Sequence, residues 1–197
     1  MSAKKRRPPI VGRHTSEELA AMTSADWPQD VHRALKDAGV RIVGYVPDAG
    51  HSRLIELCHA DPELRAVVLT TEQEGIGLAA GAWLGGARSV LLMQSSGVGN
   101  CINALGMIRE CRFPLLMLVT MRGEEGESNP WQTPMGRATR PVLEAMDVSV
   151  HRVAVAEDIA ESVAAAAERA FGGRLAHAVL VAQSVIGFKN FQEHFAQ

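Results

Sequence analysis

Apolar and polar positions alternate along this chain in blocks that change period. Six short runs are almost unbroken in apolar character: "RIVGYV" (41–46), "RAVVLT" (65–70), "SVLLMQ" (89–94), "PLLMLVT" (114–120), "VSVHRV" (148–153) and "HAVLVAQS" (177–184). Most are rich in β-branched residues, and continuous apolar runs of this length predict strands covered on both faces. Between them lie stretches with helical spacing: "SRLIELCHA", "GIGLAAGAWL", "NCINALGMIRE", "RPVLEAM" and "AEDIAESVAAAAERAF". A first helix, "SADWPQDVHRALKDAG", precedes the first strand, with Ser24 as a candidate cap and Gly39 as a stop signal. Strand and helix in turn predict an α/β fold: a doubly wound, mainly parallel six-stranded sheet with helices on both faces. The periodic part spans 25–187, between a basic extension at 1–24 and a tail at 188–197.

Ligands of such sheets bind beyond the carboxyl ends of the strands, and three groups fall there. Glu72 follows the second strand and opens a helix of Gly and Ala; an acid in a first turn is also favoured by the helix dipole alone. "QSSGVGN", Gln94 to Asn100, joins the third strand to the next helix, where glycines let backbone amides approach a ligand. It lacks the third glycine of a dinucleotide fingerprint and the GK[ST] of a P-loop, so a tight structural turn is the other reading. His51, in "VPDAGHSRL", follows the first strand as a general acid, a substrate ligand or a surface residue. A long connection, "MRGEEGESNPWQTPMGRA", shows no periodicity and carries Arg122, Glu124, Glu125, Trp131 and Arg137, with Arg140 just after it. Loops of this length are functional or disordered. Its arginines suit an anionic group, and its glutamates suit a solvated loop.

Composition narrows the class. A chain of 197 residues with 47% apolar content fits one packed domain, and a formal net charge of −2 gives no field for nucleic acid. No apolar run approaches the ~20 residues of a membrane span. The basic start "MSAKKRRPPIVGRH" lacks the apolar stretch of a secretory signal and reads as a solvated tail. Three cysteines without a CxxC pair point to a reducing, cytoplasmic setting and away from a zinc site.

"TEQEGIGLAAGAW" and "SSGVGNCINAL" together resemble the pyrimidine-binding domain of thiamine-diphosphate-dependent enzymes. "GYVPDAG" and "RGEEGESNPWQTPMG" are similar to the decarboxylases of sulfopyruvate and phosphonopyruvate, from about Trp27 to Ile186. The resemblance implies that Glu72 is the carboxylate that hydrogen-bonds the cofactor's pyrimidine ring nitrogen N1′. That contact promotes deprotonation of the exocyclic amine. It further implies that Gln94, Ser95, Ser96, Gly97, Val98, Gly99 and Asn100 line the cofactor, and that an anionic 2-keto acid is decarboxylated. His51 joins Glu72 as a catalytic candidate, and His51, Arg122 and Arg137 are candidates for the substrate. In this family a separate domain with a GDG motif and a later asparagine holds Mg2+ and the diphosphate. The sequence has no GDG, so no metal ligand is assigned here, and the resemblance implies an α subunit that works with a β subunit, two of each or more. Departures from the pattern, "PDAGH" in place of "PDS" and the later part of the long loop, leave other keto acids or carboligation as alternatives. A non-catalytic ligand sensor is a further alternative. A generic flavodoxin-like module would need a phosphate loop after the first strand, which "VPDAGHS" does not supply.

Overall fold

The computed structural model describes residues 26–187; the cap expected at Ser24, the basic extension and the tail lie outside them. Helix α1 (Trp27–Asp37) starts at Asp26, whose side chain accepts the Gln29 amide, and Pro28 fits the first turn, where no intrahelical donor is needed. It ends before Gly39, whose φ of +75° suits glycine. The order then runs β1 (Val40–Tyr45), α2 (Ser52–Ala60), β2 (Arg65–Val68), α3 (Glu72–Leu84), β3 (Arg88–Gln94) and α4 (Ser95–Cys111). It continues with β4 (Leu115–Thr120), α5 (Thr133–Ala145), β5 (Ser149–Val153), α6 (Ile159–Gly173), β6 (Ala176–Val181) and the short α7 (Gln183–Ile186).

The sheet has the order β2-β1-β3-β4-β6-β5, and every pairing is parallel. The period of two along each strand divides the core. Val90 and Leu92 of β3, Leu116 and Leu118 of β4, and Val179 and Val181 of β6 face α1, α2 and α6. Leu91 and Met93, Leu115 and Met117, and Ala178 and Leu180 face α3, α4 and α5. Strands β4 and β6 are buried at every position. The edge strands β2 and β5 are mostly part-exposed, so the expectation of cover on both faces fails for these two.

Two helices begin earlier than their sequence suggests. Helix α4 takes in Ser95 to Asn100, which read as a loop because glycine is a poor helix former. Helix α5 starts at Thr133, with Pro134 in its first turn. Pro141 resembles a helix start but sits inside this helix, where Leu143 and Thr139 are buried against the core. The long connection is thereby shortened to 121–132, of which Pro130–Gln132 is a turn of 3₁₀ helix.

Candidate functional site

The carboxyl ends of β1, β3 and β4 surround the first turn of α4, and acids flank that turn on two sides. On one side, Glu72 opens α3 after the extended cap Thr71 and is only 7% exposed. Asn100 Nδ2 donates to Glu72 Oε2 at 2.8 Å. Gly97 lies directly beneath the carboxyl group, and a Cβ at this position would overlap the Glu72 side chain. That overlap explains a glycine inside a helix: only a bare backbone lets the acid lie across the helix start.

On the other side is Asp48, which spacing alone did not single out. Its Oδ2 accepts from Thr120 Oγ1 at 2.5 Å, its Oδ1 from Gln94 Nε2 at 3.4 Å, and His51 Nδ1 stands 3.6 Å from Oδ2. The one available signal was its position at the end of β1, beside the point where the strand order reverses. Ser96 donates to Gln94 Oε1 at 3.1 Å and ties this flank to the helix.

His51 is not a surface residue. It is fully buried, neither ring nitrogen has a hydrogen-bond partner among the described residues, and burial pulls its pKa down to about 4 against the pull of Asp48 in the other direction. The imidazole is therefore neutral at neutral pH and reaches the crevice only through Asp48. Of the run from Gln94 to Asn100, Gly97 and Asn100 meet Glu72, Gln94 meets Asp48, and Ser96 meets Gln94. Ser95 and Val98 turn inward: Ser95 Oγ accepts the Arg122 amide at 3.0 Å, and Val98 belongs to the core. Gly99 packs under Met135, whose Sδ lies 3.6 Å from where a Cβ would stand.

Arg122 departs furthest from expectation. Its Nε and Nη2 each donate to Glu127 at 2.7 Å, and the residue is 8% exposed. Two of its three nitrogens are thus committed, and a mobile arginine clamp is not what this loop provides. The bidentate pair also holds the Glu127 carboxyl far below the usual range, at about 2, with help from the amides of Asn129 and Gly123 and from Gln183. Arg137 lies exposed on α5.

A cavity of about 630 Å³ lies at the opposite end of the sheet, lined by Arg109, Arg112 and Arg174. Helices α4, α5 and α6 finish there, Arg109 pairs with Asp147 at 2.8 Å and Arg174 lies over the Trp83 ring, so the cations are accounted for without a ligand. Among the described residues no cluster of three or more His, Cys, Asp or Glu could hold a metal, and no helix is long and apolar enough to cross a membrane.

Comparison with known proteins fits this arrangement. Residues 27–139 match the family described as thiamine pyrophosphate enzyme, N-terminal TPP binding domain. The chain is 38% identical over 119 residues to the sulfopyruvate decarboxylase subunit alpha of Methanococcus maripaludis, covering 60% of this chain and 71% of that one. It is 32% identical over 167 residues to the phosphonopyruvate decarboxylase of Streptomyces viridochromogenes, covering 83% of this chain but 42% of that longer protein. Among solved structures, the 2-oxoglutarate:ferredoxin oxidoreductase of Magnetococcus marinus superposes over 81% of this chain and 29% of its own, with a TM-score of 0.64 and 16% identity, a likeness of fold. The family match covers more than half of the chain, and the chain belongs to the thiamine pyrophosphate enzymes through their N-terminal TPP-binding domain.

Proposed function

We propose that this chain is the α subunit of a thiamine-diphosphate-dependent decarboxylase of 3-sulfopyruvate or 3-phosphonopyruvate. A β subunit supplies the Mg2+ and diphosphate half, in a complex of two copies of each or more. The observation that carries the reading is Glu72: a nearly buried carboxylate with one protein donor, Asn100, and a glycine cradle beneath it. The residues present fit the pyrimidine end of the cofactor, because no donor among the described residues occupies Oε1 of Glu72 and the bare backbone of Gly97 makes room for its carboxyl group. When bound, thiamine diphosphate supplies the electron sink that a 2-keto acid needs in order to lose carbon dioxide.

Glu72 holds a proton at the pyrimidine N1′, Asn100 fixes the rotamer of Glu72, and the first turn of α4 faces the ring. Asp48 and Gln94 form the second polar wall of the same crevice. For the substrate's extra anion, Arg137 has an exposed guanidinium, whereas Arg122 has only Nη1 left and His51 acts through Asp48. Relatives named as alpha subunits support a separate partner chain for the diphosphate half. A cytoplasmic setting suits its three free cysteines, Cys58, Cys101 and Cys111.

The test is to purify the chain alone and with its companion subunit and to assay carbon dioxide release from 3-sulfopyruvate, 3-phosphonopyruvate and pyruvate. Turnover is expected from the complex only, and fastest with one of the two anionic derivatives. Turnover by the single chain, or preference for pyruvate, would overturn the reading.

A further inference from the structure

Trp131 is 86% exposed, yet the turn that carries it is among the most tightly tied parts of the molecule. Glu127 accepts from Arg122 Nε and Nη2 at 2.7 Å, from the amides of Gly123 at 3.1 Å and Asn129 at 2.9 Å, and from Gln183 Nε2 at 2.9 Å. Glu124 bridges the same loop to the end of β6: its amide donates to Gln183 Oε1 at 3.0 Å, and its carboxylate accepts the Gln183 amide at 2.8 Å and Arg152 at 3.0 Å. Asn129 Oδ1 then accepts the Trp131 amide at 3.2 Å, and Pro130 fixes the backbone between them. Gly123 and Gly136 bring the two ends of the loop together, backbone against backbone.

An indole presented to water on a fixed support is not a lid, because a lid needs a hinge. It has the character of an anchor: a large, rigid, amphipathic group whose burial requires little further ordering. Its position says what it anchors. Met135, one helical turn after Trp131, covers Gly99, and Gly99 neighbours the Asn100 that holds Glu72. Ile102, 38% exposed, follows Gly99 on the same face of α4. Met135 thus links the turn that carries the indole to the Glu72 half of the site.

We propose that Trp131 is the anchor by which the subunit carrying the diphosphate half docks on this chain. The inference rests on the two-subunit reading above. A second copy of this chain is the poorer occupant, because a contact between identical surfaces would set one Glu72 half-site against another and leave the diphosphate half missing.

The experiment titrates the purified companion subunit into the parent chain, Trp131→Ala and Trp131→Phe, and follows complex formation and tryptophan emission. Trp131→Ala should weaken association at least about 30-fold, with the melting temperature of the isolated chain unchanged, and Trp131→Phe should retain most of the affinity. Emission of the parent should shift to the blue on complex formation, and the shift should vanish in Trp131→Phe. Association of Trp131→Ala within about threefold of the parent would overturn this inference alone. So would a raised KM with unchanged association, which marks a substrate cover, or a change in self-association only, which marks a contact between copies. Failure of the parent itself to bind the companion would overturn the two-subunit reading and this inference with it.

Discussion

Two buried glutamates, Glu72 and Glu127, stand within one region of the fold and are treated in opposite ways. Glu127 is surrounded by five donors and has nothing left to offer. Glu72 has one, from a side chain near the surface, and a wall of bare backbone on the other side. A fully satisfied carboxylate has a structural role, whereas one left short of partners in a crevice is the candidate for a ligand. Burial alone does not separate these roles; the inventory of donors does.

The sharpest way to break the comparison is to neutralise each acid without changing its shape. Glu72→Gln is expected to lower turnover of the assembled enzyme about 10³-fold, with assembly and melting temperature unchanged. Comparable activity in the variant would remove Glu72 from the chemistry. Glu127→Gln should do the reverse, reducing the free energy of unfolding by about 3 kcal/mol because the Arg122 guanidinium is left buried and uncompensated. Denaturant titration reads this directly, and an unchanged midpoint would show that the pair contributes little. Gly97→Ala acts on the cradle instead of the acid. Turnover should fall about 100-fold as Glu72 is pushed aside. Stability should change by less than about 2 kcal/mol, because alanine's helix propensity offsets part of the overlap.

Acid titration gives the smallest effect and separates two buried groups by their windows. Burial lowers the folded-state pKa of His51 from 6.5 to about 4, so the unfolded chain takes up this proton first. Its stability contribution is complete above pH 6.5 and is lost between there and about pH 4, amounting to about 2 kcal/mol by pH 5. Glu127, held at about 2 instead of 4.5, contributes fully above pH 4.5 and loses that contribution as pH falls toward 2. His51→Phe should flatten the first limb and Glu127→Gln the second, as measured by the denaturant midpoint against pH. If His51→Phe left the upper limb intact, the imidazole would not be the group that titrates there.

What could be read from the residues and what could not divide along physical lines. The strands β3, β4 and β6 are buried on both faces, so their apolar runs are unbroken and their type and order in the chain are plain. Glu72 is legible as the opening of a helix after a strand, where the dipole favours an acid, and only the family resemblance singles it out. The start of α4 is not: Gly97 and Gly99 carry a poor helix propensity, and it is the Glu72 carboxyl, distant in sequence, that calls for glycine at 97. Nor is the fate of Arg122, since a loop with arginines and glutamates looks the same whether they face water or each other. Gly123, at φ +75°, turns the chain so that Glu127 reaches back to Arg122, and no spacing rule encodes that. Asp48 shares the same limit. Its meeting with Thr120 spans 72 residues and exists only once β1 and β4 flank β3.

The strand order has a consequence for how the molecule is made. Strand β6 lies between β4 and β5, so β5 leaves the ribosome with no neighbour to pair with and waits for a later strand to slot in beside it. The Gln183 ties of the 121–132 loop come later still, since they lie beyond β6. Synthesis at ~5–20 residues per second therefore leaves an interval of seconds in which the flank of β4 stands open. During that interval β4, apolar at nearly every position, presents an unpaired strand edge, the kind of surface that chaperones exist to cover.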